Sequence, residues 1–130
     1  MFAENSVDMV RFESPLPIAV ASKIGASEET MLLLRGAIGV LETCAMRAGI
    51  EDIDSFGVQE ARKHFLGQAR FPKGANGKSA AKDYVLIQCE TLGIKVMTDH
   101  EADAVAGWVL SCALANPRLA HLSSPLFQNA

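Results

Sequence analysis

The stretch Thr98-Asp99-His100-Glu101-Ala102-Asp103-Ala104-Val105-Ala106 puts four ionisable residues into five positions at the head of an otherwise apolar run. Thr98 and Glu101 fit a capping box, in which the hydroxyl accepts a backbone N–H and the glutamate reaches back to the cap. Asp99 and Glu101 also suit the positive end of a helix dipole. Asp103 lies beyond that first turn and has neither job. It falls three residues after His100, so the two share a helix face. An imidazole beside a carboxylate is half of a metal site; the plainer alternative is a pair of solvated polar residues near a helix start. Glu13 is a third candidate, because it closes a strand-like run, and ligands gather at the carboxyl edge of open α/β sheets.

A second kind of chemistry is suggested between Glu60 and Lys82. Arg62, Lys63, Arg70, Lys73, Lys78 and Lys82 are half of the chain's twelve Lys and Arg, set against the single acid Glu60. Phe65 and Phe71 interleave with them, and Gly74, Asn76 and Gly77 loosen the loop. A basic glycine loop feeding a helix start suits backbone phosphates. It is not a phosphate-binding P-loop, since Gly74 stands only three residues before Gly77-Lys78-Ser79. A solvated loop that keeps an acidic protein soluble is the alternative.

These residues need a scaffold, and 130 residues with 49% hydrophobic and 21% charged content suit one soluble domain. Val7 to Phe12 reads as a short strand, stopped by Pro15 and Pro17 around Leu16. Ile18 to Gly25 reads as a small-residue loop. Ser27 then caps a helix predicted to run to about Ala48, with Gly49 as its stop and Gly36 and Gly39 allowing another backbone to approach closely. Ile50 to Asp54 reads as an acidic turn, Ser55 to Val58 as a second strand parallel to the first, and Gln59 to Leu66 as a brief helix. Further helices are expected from Ser79 to Leu92 and from Asp99 to Ala115. The last carries no charge between Ala104 and Ala115, so it should be buried on more than one face. Residues 118–130 read as a loosely held tail behind a domain of residues 1–117.

Taken in order, a strand ending in Glu13, a long helix, a strand, a basic glycine loop, a helix and a closing helix opening on His-x-x-Asp resemble the RuvC-type Holliday junction resolvases. The resemblance implies an α/β, ribonuclease H-like fold, N-terminally truncated, with short parallel strands packed with helices. It implies a homodimeric, magnesium-dependent endodeoxyribonuclease that cuts branched DNA. It makes Glu13, His100 and Asp103 the catalytic metal ligands and Arg62, Lys63, Arg70, Lys73, Lys78 and Lys82 the DNA contacts. The family's first strand carries an essential aspartate in a D-x-G setting, and Asp8 lacks the following glycine. Two carboxylates and one imidazole leave magnesium short of oxygen ligands, so manganese is expected to bind better and this chain to cut slowly or not at all.

Two other readings use the same residues: a DNA-binding module without chemistry, and a structural or interaction domain on the same scaffold. A dimer is expected on physical grounds too, because two short strands leave backbone edges unpaired and helix faces uncovered. The net charge of −3 argues against indiscriminate nucleic-acid binding. No apolar run is long enough to span a membrane. Cys44, Cys89 and Cys112 lack metal-site or disulfide spacing, which reads as buried free thiols in a reducing, cytoplasmic setting.

Overall fold

Met9–Glu13, a run of apolar and β-branched residues broken by Arg11, forms β1, and Asp52–Phe56 forms β2; the two pair as a parallel two-stranded sheet. The computed structural model describes residues 6–68, 71 and 80–120. Its elements run β1, α1 (Ile18–Lys23), α2 (Glu28–Arg47), β2, α3 (Val58–Leu66), α4 (Ala81–Thr91), α5 (Asp99–Ala115) and a short 3-10 turn at Pro117–Leu119. The chain is therefore α/β, and it divides into two compact units, Met1–Ser55 and Phe56–Ala130.

In the first unit the stretch leading into β2 is one continuous helix, α2, as the periodicity predicts. Ser27 caps α2 by accepting the Thr30 N–H at 3.1 Å, and Glu28 and Glu29 occupy its first turn. It stops at Gly49, whose φ of +81° permits the closing pair of bonds from Gly49 N–H to Met46 O and Ile50 N–H to Ala45 O.

Two expectations change. Residues 18–23 are helical rather than a loop: the Pro17 carbonyl accepts from the Val20 and Ala21 N–H groups, so the proline that ends the extended run also starts the next helix. The second strand lies three residues earlier, over the segment read as an acidic turn. Acids are poor strand formers, but Asp52 is matched across the sheet by Arg11, whose Nη2 donates to its carboxylate at 2.6 Å and Nη1 to its carbonyl at 3.1 Å. Ser14 and Ser55 add a hydroxyl pair at 2.9 Å.

The second unit holds the main core. Ala61 and Phe65 of α3, Val85 and Cys89 of α4, and Ala102, Ala106, Val109 and Leu110 of α5 pack together, so α5 is covered by both neighbouring helices. This is the two-sided burial that its uncharged stretch predicts. Gly107 lets α5 meet the Phe56 ring: a Cβ at this position would lie 2.7 and 2.6 Å from Cε1 and Cε2. Trp108 stays outside the core at 63% exposure, and Cys44 is exposed rather than buried. Gly93, with φ +72°, closes α4 through the Ile94 N–H to Cys89 O bond.

Candidate functional site

The head of α5 is built as its sequence requires. Thr98 Oγ1 accepts the Glu101 N–H at 3.2 Å, and the Glu101 carboxylate accepts the Met97 N–H, one residue upstream of the cap itself. Asp99 is taken by Lys82 from α4. That hydrogen bond, with the ammonium charge, holds the Asp99 carboxyl below its ordinary range.

Asp103 faces the other way, into the core. Its Oδ1 accepts from Arg62 Nε at 2.8 Å and its Oδ2 from Arg62 Nη2 at 2.6 Å. Both side chains are about nine-tenths buried, at 10% and 12% exposure. This is a two-pronged, charge-assisted pair, the geometry for which a guanidinium fork is shaped. Its negative member also acts on Cys89: burial, reinforced by the Asp103 charge, pushes that thiol up.

The sequence candidates are thus distributed as follows. Glu13 is the exposed last residue of β1, in the first unit. His100 and Asp103 lie one turn apart on α5, in the second. Their side chains do not converge: His100 is 89% exposed, with Nε2 4.0 Å from Asp99, whereas Asp103 is turned inward. As placed, this set does not fit a magnesium ion, because both Asp103 oxygens already accept from Arg62. Among the described residues no three His, Cys, Asp or Glu side chains gather to hold a metal.

The basic residues also separate. Arg62 lies on the buried side of α3 rather than at the surface. Val58, Ala61, Arg62 and Phe65 occupy one face at helical spacing, which brings Arg62 to the core. Lys63 is exposed on the opposite side of α3, and Lys82 is exposed at the start of α4 with Asp99 as its partner. Arg70, Lys73 and Lys78 lie outside the described residues. Phe65 is a core residue, and Phe71 rests on Tyr84 of α4, ring centres 5.3 Å apart.

The Arg62–Asp103 pair is the feature that residue-by-residue reading misses. Its signal lies in two oddities taken together: an arginine on the apolar face of one helix and an aspartate that capping does not explain on another. Each is expensive to bury alone, and together they satisfy one another. No helix among the described residues is long and apolar enough to cross a membrane. Compared with known proteins, the chain matches no family model, no curated protein and no solved structure.

Proposed function

We propose that this chain is a RuvC-like, ribonuclease H-related domain that binds branched DNA as a homodimer and does not cut it efficiently by itself. The observation that carries the DNA-binding half is the concentration of Lys and Arg between Glu60 and Lys82, five besides the buried Arg62, in a protein of net charge −3. The two helices flanking that segment belong to one packed unit, with Lys63 and Lys82 exposed at its edges. Basic groups on a firm platform suit phosphate contacts, which position a duplex without reading its sequence. The order of elements supports the resemblance: β1 ending in Glu13, α2, a parallel β2, and α5 opening on His100 and Asp103.

The chemistry is limited by Asp103. A carboxylate already bound at both oxygens by a buried guanidinium has little left to offer a cation, and freeing it would leave a buried charge unpaired. Of the three readings, DNA binding without efficient cutting is therefore preferred over a complete nuclease. Fluorescence anisotropy with a synthetic four-way junction tests it. Affinity should fall steeply with added salt, through counterion release, should weaken with Lys63→Glu, and should survive Glu13→Ala. Undetectable binding at low salt would leave the interaction-domain reading.

A further inference from the structure

Helix α2 is apolar around most of its circumference, and only part of it is used. Met31, Ile38 and Ala45 form the side that is partly or fully buried. Another side carries Leu32, Leu33 and Val40 at 64, 69 and 64% exposure. Nothing lies within 4 Å of a Cβ built on Gly36, which makes a notch between these side chains. Among the described residues of the first unit only Ala21 and Ala45 are fully buried, so the unit's large aliphatic side chains are not spent on its own core. A helix apolar on so many sides is normally enclosed.

The charges on this face say what encloses it. Glu29 and Arg47 stand 18 residues apart, five full turns at 3.6 residues per turn, so they lie on the same line along the helix. Leu33, Gly36 and Val40 lie along that line between them. If a second copy of α2 is laid antiparallel across this face with its two-fold axis level with Ile38, between Gly36 and Val40 on the exposed side, Glu29 meets the other copy's Arg47 and Arg47 meets its Glu29. The same register sets Val40 of each copy opposite the Gly36 notch of the other. A two-fold interface must be complementary to itself in this way. At a shallow crossing the paired charges, about 13 Å either side of the axis, stay within reach of long side chains.

We infer that α2 is a dimerisation helix, packing antiparallel on a second copy through Leu33, Gly36 and Val40, with Glu29–Arg47 pairs at both ends. This rests on the homodimeric state proposed above and names its surface. Sedimentation velocity on the full chain and its variants tests it, and the altered residues are all exposed, so the variants should retain their fold. The wild type should be a dimer at micromolar concentration, and Val40→Arg should convert it to monomer. Glu29→Arg or Arg47→Glu alone should each weaken the dimer at least about tenfold, since each replaces two attractive pairs by two repulsive ones. The double variant, or an equimolar mixture of the two single variants, should restore association. A wild-type monomer would overturn both the dimer and its surface. A dimer indifferent to Val40→Arg, or one not restored by the double exchange, would overturn this surface and leave the dimer standing.

Discussion

Replacing Arg62 by methionine keeps much of the buried stem of the side chain and removes the two bonds to Asp103. The carboxylate is then left about nine-tenths buried among α3, α4 and α5 without the 2.8 and 2.6 Å donors that compensate it. Breaking one side of a buried ion pair costs about 3–5 kcal/mol. Small proteins have only about 5–15 kcal/mol in total, so the loss should be a large part of the second unit's stability. With a urea dependence of roughly 1 kcal/mol per molar for a unit this small, the midpoint should fall by roughly 3 M or more. Trp108, the chain's single tryptophan, lies on α5 and reports on this unit alone. Urea titration followed by its fluorescence is the assay, with far-ultraviolet circular dichroism as the check on helix loss. The double variant Arg62→Met with Asp103→Leu replaces both charges by apolar groups and should recover most of the loss, giving a coupling energy of at least about 2 kcal/mol. A single-variant cost under about 1 kcal/mol, or a double variant equal to the sum of the two singles, would refute the inward-facing pair.

Two further perturbations test other parts of the packing. Gly107→Ala should destabilise the second unit by about 1–3 kcal/mol despite alanine's better helix propensity, because the new methyl overlaps the Phe56 ring, and Phe56→Leu should relieve it; a stabilised Gly107→Ala variant would contradict that contact. Asp99 titrates below its ordinary range because of Lys82, so the pair's stabilisation is complete above the unfolded aspartate's pKa and is lost as pH falls through the folded value. Carboxyl NMR should show the Asp99 midpoint rising toward the ordinary value in Lys82→Ala, and an unmoved midpoint would show that the lysine is not the cause.

Much of this fold is legible in the chain because local signals agree with one another. Ser27 followed by Glu28 and Glu29, apolar residues at helical steps and Gly49 at the end mark α2 at both termini, and Thr98 with Glu101 marks the start of α5. Residues 18–23 and 52–56 are less legible, since their structure depends on partners outside the segment. Pro17 supplies the first acceptor carbonyl of α1, and Arg11 makes a strand of a segment whose two aspartates argue for a turn. The candidate site divides in the same way. His100 and Asp103 share a turn of helix, as their spacing requires, but spacing within one helix does not say which neighbour claims the carboxylate. Charge alone groups Arg62 with the surface lysines, while its place beside Ala61 and Phe65 on α3 sends it inward.

The most direct test is to hold a labelled four-way junction with the full chain at low salt, confirm binding by anisotropy, and then add magnesium and follow strand cleavage. Salt-sensitive binding with slow or no cutting is the predicted result. Brisk magnesium-dependent cutting would contradict the claim that Asp103 is committed to Arg62, and absence of binding would contradict the role in DNA recognition itself.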